Sequence, residues 1–106
     1  MEMLEKIVGF LEDRKAENIV KINLEGKTSI ADYFVICSVR TATQVIAVSN
    51  HLLEDMENIG VNAIRTEGIK EGKWAVIDFG DVIVHVFSDE NREFYRLEKL
   101  WEGTEN

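Results

Sequence analysis

The stretch Trp74 to Phe87, W-A-V-I-D-F-G-D-V-I-V-H-V-F, constrains this chain more than any other. Two β-prone runs flank Gly80-Asp81, and Gly followed by Asp is a two-residue hairpin signal. Such a loop sets Phe79 opposite Val82, Ile77 opposite Val84 and Ala75 opposite Val86. Side chains alternate along a strand, so these residues share one wholly apolar face, which belongs on a core. The opposite face carries Trp74, Val76, Asp78, Ile83, His85 and Phe87. A face with Trp, Phe, Asp and His is neither a plain core face nor a plain solvated one. Such a face suits contact with a partner.

The rest of the chain supplies a sheet and helices for that hairpin to join. Leu4, Ile7, Val8 and Leu11 form the stripe of an amphipathic helix. From Asn18 to Leu24 the pattern alternates, with Val20, Ile22 and Leu24 on one face of a half-buried strand. Tyr33 to Ser38 is a continuous apolar run, the mark of an interior strand. Thr41 and Gln44 fit a capping box opening a second helix, with the stripe Val45, Val48, Leu52, Met56 and Ile59 and with Gly60 just past its end. Val61 to Arg65 reads as a short strand. Ser88 can cap a last helix carrying Phe94, Leu97 and Trp101. The order α-β-β-α-β-β-β-α predicts a single α/β domain over 1–106, a mixed sheet with helices packed on it. Two single-striped long helices cover one sheet face, so the Trp74 face is expected to be open in part.

Charge narrows the partner. Twenty Asp and Glu stand against twelve Lys and Arg, for a net −8. That balance argues against gripping nucleic-acid phosphates directly and favours a basic protein surface. Cys37 is the single cysteine, so no internal disulfide forms, and its apolar neighbours fit a buried thiol. The N-terminus lacks a signal-peptide profile, and no apolar run approaches a membrane span, so a cytoplasmic protein is expected.

Catalytic chemistry finds little support. Asp78 and Asp81 are the obvious pair of carboxylates for a divalent metal, but an Asp in a tight turn is explained by turn chemistry, and Asp81 is read that way. His85 could serve as a general base, yet Asp78 is at best its diagonal neighbour; a lone strand His is more often a packing or polar contact. His51 forms no His-x-x-x-His pair, and no His, Cys and acid constellation for a metal is seen. Neither a glycine-rich phosphate loop nor a nucleophile elbow occurs. Trp74 and Phe87 either pair across the strands or meet a partner.

Asp32-Tyr33-Phe34-Val35-Ile36-Cys37-Ser38, Glu67-Gly68 followed by Trp74, and Asp78 to Phe87 together resemble the ribosomal silencing factor family, also called Iojap-like. The ending Arg92-Glu93-Phe94-Tyr95 then Leu97-Glu98-Lys99-Leu100-Trp101 is similar too. The resemblance runs over nearly the whole chain. It implies a binding protein without cofactor rather than an enzyme. Such a protein binds ribosomal protein fourteen of the large subunit, blocks joining of the small subunit and lowers translation when nutrients are short. It also implies a nucleotidyltransferase-like topology without the catalytic acids, and a homodimer off the ribosome. Carried over by position, the partner-binding residues are Trp74, Asp78, Asp81, His85, Arg92, Tyr95 and Glu98. Trp74 would be the aromatic anchor, Asp78 and Glu98 would meet basic groups, and His85 would give a directional hydrogen bond. Val39 stands where the family commonly has Gly. The alternative reading is a metal-dependent nucleotidyltransferase-like enzyme using the two Asp residues.

Overall fold

A computed structural model describes residues 1–89. The expected last helix, and with it Arg92, Tyr95 and Glu98, lies outside the described residues. Within them the chain runs α1 (Glu2–Asp13), β1 (Glu17–Asn23), β2 (Tyr33–Val39), α2 (Ala42–Asn58), β3 (Arg65–Glu67), β4 (Trp74–Asp78) and β5 (Val82–Ser88). The strands form one five-stranded sheet in the order β1-β2-β5-β4-β3. β2 and β5 pair in parallel and the other neighbours are antiparallel, so the sheet is mixed as expected. No described helix is long and apolar enough to cross a membrane.

The hairpin has the expected register. Ala75 faces Val86 and Ile77 faces Val84, while Phe79 N–H donates to Val82 O at 2.9 Å. The capping box is formed too. Gln44 N–H donates to Thr41 Oγ1 at 3.2 Å, and the Gln44 side-chain oxygen accepts from Thr41 N–H at 3.1 Å. Leu4, Ile7 and Leu11 of α1 and Val45, Val48, Leu52 and Met56 of α2 are buried. They meet Val35, Cys37, Ala75, Ile77, Val84 and Val86 on one sheet face. Arg14 ties the helices together by donating to the Asp55 carboxylate at 3.1 Å.

Both helices end in the same pair of bonds. In α2, Gly60 N–H donates to Glu57 O and Val61 N–H to Met56 O, each at 2.9 Å. In α1, Lys15 N–H donates to Glu12 O and Ala16 N–H to Leu11 O, each at 3.0 Å. This closure needs a left-handed residue after the cap, a position that favours glycine. Gly60 fills it with φ +86°; in α1 it is Lys15, with φ +63°.

Two expectations change. The strand expected over Val61 to Arg65 instead spans Arg65–Glu67. Closure of α2 takes the N–H of Val61, and Val61 and Ala63 pack against the core. The apolar residues there pack on the core, and pairing with β4 begins only at Arg65 opposite Asp78. Ile59, assigned to the α2 stripe, is the C-cap residue and is exposed. Val39 is the buried last residue of β2, opposite Ser88.

Candidate partner-binding site

The second sheet face is more buried than the sequence suggests. Val20, Ile22 and Leu24 share it as expected, and they cluster with Ala31, Phe34, Ile36, Ile83 and Phe87. His85 is 6% exposed and Phe87 is 0% exposed. Only the β4 residues of the hairpin face, Trp74, Val76 and Asp78, are half-buried. The partly open face is therefore corrected to an open margin. β5 is central, flanked by β2 and β4, whereas β4 has on its outer side only the short β3.

Trp74 sits opposite Phe87 and stacks on it, with ring centroids 5.2 Å apart and planes 23° apart. Its indole N–H donates to His85 Nδ1 at 3.0 Å. Phe34, opposite Ile83 on β2, turns its ring against the His85 imidazole at 4.7 Å in an edge arrangement. A bond to Nδ1 requires its lone pair, so His85 is neutral and carries its proton on Nε2. Burial strips water from the charged form and lowers the His85 pKa from 6.5 to about 4. Nε2 is buried and reaches no acceptor among the described residues. His85 thus holds the Trp74 ring in place. A direct bond from its imidazole to a partner would require this cluster to open.

Gly68 lets the turn before β4 approach this cluster. Its φ is +75°, and a Cβ there would overlap the carbonyl oxygen of Trp74. Within the resemblance motif, Gly68 thereby packs on the backbone of Trp74.

Both hairpin acids serve the turn. Asp78 Oδ1 accepts the Gly80 N–H at 2.8 Å, so Asp78 makes the side-chain turn bond. Asp81 sits in the two-residue loop as expected, with an exposed side chain. Its carbonyl oxygen accepts from Asp32 N–H at 2.8 Å and Tyr33 N–H at 3.1 Å, joining the hairpin loop to the start of β2. Trp74 and Asp78 share the margin of one face, and Asp81 lies beyond its end. Among the described residues, no group of three or more His, Cys, Asp and Glu could hold a metal.

Sequence reasoning missed Phe34. It lies in a run that reads simply as buried strand, and its meeting with His85 depends on the parallel pairing of β2 with β5.

The fold and the site define a class: a small α/β domain with two helices on one face of a mixed sheet and an aromatic cluster around a neutral imidazole on the other. A family profile described as "Ribosomal silencing factor during starvation" matches residues 1–106. Ribosomal silencing factor RsfS of Halalkalibacterium halodurans is 41% identical over 100 residues, covering 94% of this chain and 86% of that protein. A crystal structure of a protein from Chromobacterium violaceum superimposes with a TM-score of 0.90 at 30% identity, covering 94% of this chain and 83% of the other. A mouse protein named mitochondrial assembly of ribosomal large subunit protein 1 is 29% identical over 101 residues, 92% of this chain and 44% of that protein. The chain belongs to the ribosomal silencing factor family.

Proposed function

We propose that this protein is a ribosome-associated repressor of translation that binds the large subunit through ribosomal protein fourteen and blocks joining of the small subunit. The family match along the whole chain carries this reading. The mouse relative's name points to the large subunit as the ribosomal partner. The net charge of −8 suits a basic protein surface on the ribosome, which it would help the protein find by electrostatic steering. Trp74 offers a rigid aromatic group at the half-buried start of β4, and Asp78 and Asp81 offer carboxylates at its other end. Arg92, Tyr95 and Glu98 complete the contact set carried over from the family. The protein acts in the cytoplasm, as a homodimer when off the ribosome, without cofactor or catalysis. No specific observation favours a phosphoryl-transfer enzyme, and the turn bond already engages one of the two carboxylates such chemistry would use.

Purified protein is expected to co-sediment with large subunits and to inhibit their joining to small ones. Binding neither to large subunits nor to isolated ribosomal protein fourteen would end this reading. Trp74→Ala is expected to weaken binding by about 2 kcal/mol or more, as at an interface hot spot. Unchanged affinity with an intact fold removes Trp74 from the contact set. Raised salt is expected to lower affinity, since the steering charges are exposed.

A further inference from the structure

On the far side of the sheet from the aromatic cluster, a cleft of about 460 Å³ lies where the end of α1 and the start of β1 meet α2. Its charge runs against that of the chain. Arg14, Lys15 and Arg40 line it with the single acid Glu17, and His51 adds an imidazole from α2. Three of the chain's twelve lysines and arginines thus gather in one cleft of a molecule with net charge −8.

One of these cations is held by side-chain bonds, and a second stands at an unusual backbone position. Arg14 gives Nε and Nη2 to Asp55, at 3.4 and 3.1 Å, which fixes the guanidinium plane and leaves Nη1 for another acceptor. Lys15 occupies the left-handed position that closes α1, where the corresponding residue of α2 is Gly60. An L side chain is disfavoured in that conformation, so a lysine there keeps a charge at a conformational cost that glycine would avoid.

We propose that this cleft is a binding site for a phosphate group. A phosphate carries more than one negative charge and several acceptor oxygens, which matches converging guanidinium and ammonium groups better than a single carboxylate does. No Phe, Tyr or Trp lines the cleft, so it has no platform for stacking a base. It therefore reads the anion and not a nucleobase. The phosphate can come from a free polyphosphate or from an RNA backbone. This site is separate from the Trp74 margin and does not depend on how that margin is used.

The test titrates the full chain with inorganic pyrophosphate and, separately, with a short single-stranded RNA of mixed sequence, following binding by calorimetry. Wild type, Lys15→Gly and Arg40→Gln are compared. Lys15→Gly is chosen because its position favours glycine, so the variant is expected to melt at an equal or higher temperature. Each substitution is expected to weaken binding about threefold, the scale of one exposed charge contact, and added salt to weaken it further. Pyrophosphate binding that falls in both variants identifies a free anion as the ligand. RNA binding that falls in both, without pyrophosphate binding, identifies a polymer backbone. Failure to bind either probe overturns the proposal, and so does binding that both variants leave unchanged.

Discussion

The two faces of the sheet bury side chains to similar depth with different chemistry. Under the helices, Ala75, Ile77, Val84 and Val86 are all 0% exposed, and the face is aliphatic. On the opposite face, Phe34, Trp74, His85 and Phe87 meet through ring contacts and one hydrogen bond. Aliphatic packing depends mainly on volume and lacks direction. A ring stack joined to an N–H···N bond fixes orientation as well. The first face holds the fold together, while the second holds the half-buried Trp74 in one pose.

The largest expected effect tests the aliphatic face. Ile77→Ala should destabilise the protein by roughly 4 kcal/mol in urea unfolding, through lost transfer energy and the cavity left behind. Ile77→Leu conserves volume and should cost less than about 1.5 kcal/mol. If both cost the same, shape and not volume governs this face, and the contrast between the faces collapses.

The second effect belongs to the aromatic face and depends on pH. The folded pKa of His85 lies below its unfolded value, at about 4 against 6.5. Between those values the unfolded chain binds more protons, so stability rises with pH across the window. The neutral imidazole's contribution is fully present above pH 6.5 and is lost as pH falls toward 4, by about 3 kcal/mol. Urea midpoints from pH 7 to pH 4 should show this loss in the wild type. His85→Asn should show less of a fall, leaving only the acid-range titration of carboxylates. Parallel profiles for the two proteins would mean that His85 is not kept neutral by burial.

A smaller effect separates the stack from the bond. Trp74→Phe keeps an aromatic ring over Phe87 but removes the indole donor to His85 Nδ1. The expected cost is about 1–2 kcal/mol, that of leaving a buried acceptor unmet. The bond uses the lone pair that protonation would consume. Without it, the His85 pKa should move up toward its ordinary value, which an NMR titration of the ring protons can follow. A pKa that stays put would leave burial alone as the cause.

How much of this was legible in the sequence follows the range of each interaction. The hairpin register was readable because a two-residue loop determines it locally, and so was the capping box of Thr41 and Gln44. The sorting of Val20, Ile22 and Leu24 onto one face followed from alternation. The parallel pairing of β2 with β5 was not readable, since no local signal joins strands so distant in sequence. That pairing sets β5 between two neighbours and brings Phe34 to His85, a contact that alternation along single strands does not reveal. The family motifs named Trp74, Asp78 and His85, but a motif does not say which member faces outward. The turn bond of Asp78 was hidden because either Asp suits a turn, and only the geometry shows which side chain accepts the Gly80 N–H.

That bond yields the smallest and most discriminating prediction. Asp78 stands at the margin as a candidate contact and also closes the hairpin loop. Asp78→Ala removes both functions and should cost about 1 kcal/mol of stability, the scale of one side-chain-to-backbone bond. Asp78→Asn keeps an oxygen acceptor for Gly80 N–H while deleting the charge, so stability should change by only a few tenths of a kcal/mol. If the carboxylate also meets a basic group on the ribosome, Asn should weaken large-subunit binding nearly as much as Ala does. If Asp78 serves the turn alone, Asn should bind like the wild type while Ala loses stability. Only the first result places the charge of Asp78 in the contact set, so the paired variants separate folding from recognition at a residue positioned for both.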